Sequence, residues 1–116
     1  MVPGGGGGLL DWQLMRIGSW AHDATYLIVT ALTPEDRRRH EVELLRGYLA
    51  ALRRLGVQPP PWELAWERYR QNVVWGMVMW LLTPTPLYDQ ERLSILLERH
   101  RAAAEDLDSF AALGCA

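Results

Sequence analysis

The chain has 116 residues, enough for one small domain or a subdomain of something larger. Hydrophobic residues make up 49%, so a packed core is within reach, and charged residues at 22% are close to the globular norm. A formal net charge of -2 excludes the basic excess of a nucleic-acid binder and the polybasic surface of a membrane-docking segment.

The chain opens with Met-Val-Pro and five consecutive Gly, Gly4 to Gly8. Such a run has no side chains to bury and a high ordering cost, so residues 1–8 read as a linker or a truncated start. Next, Leu9 to Met15 is a short apolar run interrupted by Asp11. It predicts a buried β-element with a polar residue at its end. Residues 16–19 predict a turn, and the length of the apolar stretch Trp20–Leu32 favours a helix.

Thr33-Pro34-Glu35-Asp36 is a helix start: Thr as N-cap, Pro in the first helical position, acids in the first turn. The helix is expected to run to about Leu55, with Gly56 as its C-terminal stop. Val42, Leu45, Leu49 and Leu52 share a face that Leu44, Tyr48 and Leu55 widen. Arg37, Arg38, Arg39, Glu41 and Glu43 fall on the wet face, where Arg39 can pair with Glu35 at i, i+4.

Pro59-Pro60-Pro61 is a stiff break before a helix starting near Trp62. Trp62, Trp66, Tyr69, Val73, Met77 and Trp80 form one stripe. The half from Val73 to Leu82 is apolar on every side, which predicts a central position covered by neighbours. Thr83-Pro84-Thr85-Pro86 ends it. A last helix is expected from about Leu87 through Ala102–Ala104, with Leu93, Leu96, Leu97, Leu107 and Phe110 inward. The expected fold is mainly α, one short N-terminal β-element followed by a helical array.

Asp11 is the first candidate for chemistry. A carboxylate at the end of a buried strand suits a hard cation such as Mg²⁺, which takes one or two carboxylates plus substrate phosphates. From this residue alone, an Asp capping a turn is the simpler reading. His22, His40, His100 and Cys115 show no metal-ligand spacing, so a zinc site is not expected. One cysteine forms no internal disulfide, no basic-then-apolar leader is visible, and the longest apolar run is too short for a bilayer. The expected location is cytoplasmic, without membrane or nucleic-acid partners.

Asp11 and Asp23 stand twelve apart, and Asp23 opens Asp-Ala-Thr-Tyr-Leu. Together with Leu9-Leu10-Asp11-Trp12-Gln13 and Gly18, this segment resembles the second signature of the aminoglycoside phosphotransferase and choline kinase superfamily. The Asp-Trp-Gln wording, with Trp20 before His22-Asp23, looks most like bacterial, ecdysteroid-kinase-like members. The resemblance implies that residues 9–116 are part of the C-terminal helical lobe of a protein-kinase-like fold, an ATP-dependent phosphotransferase acting on a small-molecule acceptor. It implies that Asp11 coordinates the Mg²⁺ bridging the ATP phosphates. Asp23 would be a structural support of the site, hydrogen-bonded to the catalytic-loop backbone.

The departures are specific. The family's His-x-Asp-x4-Asn loop lies upstream of the metal Asp, and only ten residues precede Asp11 here. The one Asn, Asn72, lies far downstream, and all twelve basic residues are Arg, leaving no Lys for a nucleotide phosphate. The expectation is a C-terminal fragment with no catalytic residue of its own and no activity alone. In the choline-kinase branch, aromatic rings of the helical lobe face cationic acceptors. Trp66 and Tyr69, with polar neighbours Glu63, Glu67 and Arg70 that place them nearer the surface, are the candidates for that role; Trp75 and Trp80 read as core. Two other readings stand beside this one. A non-enzymatic helical module could self-associate through apolar surface exposed on the tryptophan-rich helix. A helix-turn-helix regulator using the Thr33–Leu55 helix is disfavoured by the net charge and the absence of Lys.

Overall fold

Ser19 begins the first helix because its hydroxyl accepts from the Ala21 N–H, satisfying one of the orphan donors of a helix start. In the computed structural model, which describes residues 19–82 and 89–114, this helix, α1, spans Trp20–Ala31. The predicted β-element at 9–15, with Asp11, lies outside the described residues. So do the turn at Gly18, the Thr83–Pro86 break and Cys115.

α2 spans Pro34–Arg54 with the predicted start: the Thr33 hydroxyl accepts from the Asp36 N–H at 3.2 Å, and Pro34 opens the helix. It stops at Gly56, which takes a φ of +84°. The Val57 N–H donates to the Leu52 carbonyl and the Gly56 N–H to the Arg53 carbonyl, a Schellman closure that needs a left-handed residue at that position. α3 spans Trp62–Leu81 after the three prolines. Asp89 caps α4, Gln90–Asp106, by accepting from the Arg92 N–H at 2.7 Å. A four-residue helix, α5, follows at Ser109–Ala112. The described residues are helical throughout, joined by turns and short links.

α3 is the hub, packing against α1, α4 and α5. Its buried Ala65, Tyr69 and Val73 meet Ile28 and Val29 of α1, Leu45 and Leu49 of α2, and Ala103, Ala104 and Leu107 at the end of α4. Small residues in α4 let its backbone come close to α3, so the core is built from alanines as much as from large aliphatics. α3 also fastens the α4–α5 corner. Arg70 donates to the carbonyls of Leu107 and Asp108, and Gln71 to that of Ala112. These bonds hold Asp108 at φ +48°, an uncommon conformation for a residue with a side chain.

The inward and outward faces depart from the periodic reading in four places. On α2, Arg37 and Glu41 are buried rather than wet, because partners from α3 and α4 reach them. Val42, Leu44 and Leu55, placed on the inner face, are exposed. On α3 the apolar second half is not covered all round. Trp80 is buried as expected, whereas Trp75, Met79, Leu81 and Leu82 keep exposed surface. Phe110 is exposed because the chain turns at Asp108 before reaching it.

Candidate functional site

The chain offers three places for chemistry, two expected from the sequence and one that the fold assembles. The first is the N-terminal end of α1. Asp23 sits in the first turn of α1, as a helix-opening acid does, where the positive end of the helix dipole favours a carboxylate. Its side chain is 90% exposed and lies 3.3 Å from Nδ1 of His22. A buried, backbone-bound acid is therefore not what stands here. Asp23 presents an open carboxylate in the first turn of α1. Tyr48 of α2 closes this corner from one side by stacking on Trp20 at 5.9 Å between ring centroids. Burial, and then the charge of Asp23, push the Tyr48 hydroxyl above its ordinary pKa, so it remains a donor.

The second place is the aromatic stripe of α3. Trp62, Trp66 and Tyr69 stack in sequence at centroid separations of 5.5 and 5.3 Å. Trp66 therefore has a ring against it from each direction along the helix. The guanidinium of Arg46 lies 3.9 Å from the Trp62 ring centroid and supplies a cation–π contact from α2. The placement of Tyr69 nearer the surface is corrected: it is fully buried, because α1 and α2 both close over it. The polar neighbours Glu63, Glu67 and Arg70 project from other sides of the helix and do not report on the Tyr69 side.

The third place is a buried polar cluster that periodicity alone did not reveal. Arg37 Nη1 donates to both carboxylate oxygens of Glu41, at 3.0 and 2.9 Å. Arg37 Nη2 donates to Asp106 of α4, which also accepts from Arg38 Nε at 2.6 Å. The Tyr69 hydroxyl donates to Glu41 at 2.8 Å. Arg37 is 1% exposed and Glu41 6%, so the pair survives only because each charge is matched and bonded. Burial and the Glu41 carboxylate push the Tyr69 hydroxyl far above its ordinary pKa, which fixes it as a donor and excludes it as a base. Hydrogen bonds from Arg38 and then Arg37, against opposing desolvation, hold the Asp106 carboxyl below the usual carboxylate range. Two cations and two anions balance, so the cluster joins α2, α3 and α4 without offering an open charge to a ligand. The one local signal for it was the Arg37–Glu41 spacing of four.

Among the described residues no group of three or more His, Cys, Asp or Glu side chains could hold a metal ion. None of their helices is long and apolar enough to cross a membrane. Mg²⁺ needs less than a full protein cage, since it keeps several waters and takes one or two carboxylates with substrate phosphates. Asp11, the carboxylate the sequence assigns to such an ion, lies outside the described residues.

The chain matches the model of the Ecdysteroid kinase-like family over residues 8–56. This stretch contains Asp11, Asp23, α1 and α2, and relates the chain to a kinase-like family. No curated protein and no solved structure matches the chain.

Proposed function

We propose that the chain is part of an ATP-dependent small-molecule phosphotransferase of the kinase-like class, contributing a C-terminal helical lobe. The observation that carries this reading is the kinase-like family match across 8–56, which spans the Asp11–x11–Asp23 pair and ends at the Gly56 stop of α2. In this reading Asp11 binds Mg²⁺ on the nucleotide phosphates. Asp23 supports the site from the first turn of α1, where its exposed carboxylate can accept backbone N–H groups of an adjoining loop. When bound, Mg²⁺ would neutralise phosphate charge. The chain's own residues would position the nucleotide and exclude water. Phosphoryl transfer relies on several such parts acting together. With no His-x-Asp-x4-Asn and no Lys in its sequence, this chain by itself is expected to bind rather than turn over. An acceptor role for Trp66 and Tyr69 draws no support from their packing.

The test is calorimetric titration of the purified chain with ATP, with and without Mg²⁺, alongside Asp11→Ala. Binding that requires Mg²⁺ and disappears in Asp11→Ala supports the reading. Equal heats for both proteins, or none in a folded sample, reject the metal assignment.

A second reading, a non-enzymatic helical module that self-associates, is favoured by one observation. Leu27, Leu81 and Leu82 are 67%, 61% and 76% exposed. Sedimentation equilibrium decides it: a monomer across the concentration range removes self-association.

A further inference from the structure

His100 is the most deeply buried imidazole among the described residues, 1% exposed in the middle of α4. Its Nδ1 lies 2.9 Å from the Leu96 carbonyl one turn earlier. A carbonyl only accepts, so Nδ1 carries the proton and the neutral ring presents a bare Nε2. Nε2 is buried with no hydrogen-bond partner. It lies against the α3 backbone at Gly76, where an added Cβ would stand 2.5 Å from Nε2 and 2.8 Å from Cδ2. Gly76 is therefore the seat for the imidazole edge, and that seat has no room for a methyl group. Tyr26 of α1 closes the third side, with ring centroids 6.1 Å apart, and itself stacks on Trp80 of α3.

The charged and titratable groups around this joint are few. α1 presents Tyr26, and one turn earlier His22, whose ring packs on Trp75, and the exposed Asp23. α3 meets the ring with Gly76. On α4 itself, Arg99 donates to the Thr30 carbonyl and Arg101 is held by Glu98 and Glu105. Among the described residues no carboxylate is hydrogen-bonded to Nε2.

We propose that His100 is an acid-sensitive latch: neutral, it locks α4 onto Gly76 of α3 and Tyr26 of α1, and protonation of Nε2 forces α4 off that seat. A proton on Nε2 would place a charged N–H against an α-carbon with no acceptor, and burying an unpaired donor or charge is costly. The cheaper response is separation of α3 and α4, which lets water reach the ring. Burial shifts the ring in the same direction, holding it in its neutral form below the ordinary histidine range despite the Leu96 bond. The device operates where histidines ordinarily titrate, on the acid side of about pH 6.5, and is independent of nucleotide binding.

The experiment is a pH titration of the full chain from 7.5 to 4, read by long-range ¹H–¹⁵N correlation of the imidazoles and by near-UV circular dichroism. A histidine model peptide titrated under the same conditions serves as the reference. The expected result is a His100 ring that stays in the Nδ1–H form while the reference imidazole protonates. It then protonates in one step with loss of the near-UV signal, and His100→Gln moves that step to lower pH by about one unit or more. A His100 ring that titrates alongside the reference imidazole with the near-UV signal intact overturns the proposal. So does an intact signal down to pH 4, or a step at the same pH in His100→Gln. Should His100→Gln fail to fold, the histidine titration of the unmodified chain decides the matter alone.

Discussion

The Tyr69 hydroxyl donates to Glu41 at 2.8 Å, and through that bond α3 is tied to α2. Glu41 is in turn gripped by Arg37, which reaches on to Asp106 of α4. Glu41 and Arg37 lie inside the kinase-like match, whereas Tyr69 and Asp106 lie beyond it. The polar cluster is therefore one of the places where the matched helices are joined to the rest of the array, beside the packing of α1 on α3.

Truncating this cluster leaves charges buried without partners. Tyr69→Phe removes one donor from Glu41 while Arg37 remains, so the expected loss is about 1–3 kcal/mol. Arg37→Met strands Glu41 in the interior and is expected to cost more, about 3–5 kcal/mol. Urea denaturation of both variants checks the order; Arg37→Met as stable as the parent chain would show that the cluster is dispensable.

Asp106 makes stability depend on acid. Its carboxyl is held below the usual carboxylate range in the folded chain, so the unfolded chain binds the proton more readily. The contribution is therefore complete above about pH 3.9, the unfolded value, and is lost as pH falls from there toward the folded value. Denaturation midpoints between pH 5 and 2.5 should fall steeply for the parent and less steeply for Asp106→Asn. Parallel slopes would remove Asp106 as the source.

Two glycines in helices should respond oppositely to alanine. Gly47, in α2, has nothing within 4 Å of an added Cβ, so Gly47→Ala should stabilise by about 0.5–1 kcal/mol through helix propensity alone. At Gly76 the same gain competes with a 2.5 Å approach to His100. Overpacking of about 1–3 kcal/mol should exceed it and lower the melting temperature. Thermal unfolding followed by circular dichroism reads both signs.

What the sequence made legible was mostly local. Thr33 and Pro34 start α2 and Gly56 stops it, because capping and left-handed closure involve residues a few positions apart. The helical class followed from spacing in the same way. Arg37 read as a solvated residue because its second partner, Asp106, lies 69 positions away, and no periodicity encodes that distance. The second half of α3 is apolar all round, a pattern that says how much can be buried but not how many neighbours cover it. Tyr69 was misplaced for a related reason: its polar sequence neighbours point elsewhere on the helix. His100 gave no signal either, since its seat is the absence of a side chain at Gly76. Asp11, read from a motif, lies outside the described residues, so the role proposed for it rests on the spacing to Asp23 and on the family match.

The measurement that tests the metal assignment most directly replaces Mg²⁺ by paramagnetic Mn²⁺ in the presence of ATP and follows backbone amide line broadening. The account predicts broadening concentrated around residue 11 and reaching the first turn of α1 at Asp23, absent without nucleotide and absent in Asp11→Ala. Broadening centred on exposed carboxylates elsewhere, such as Glu63 and Glu67 of α3, and unchanged by Asp11→Ala, would contradict it.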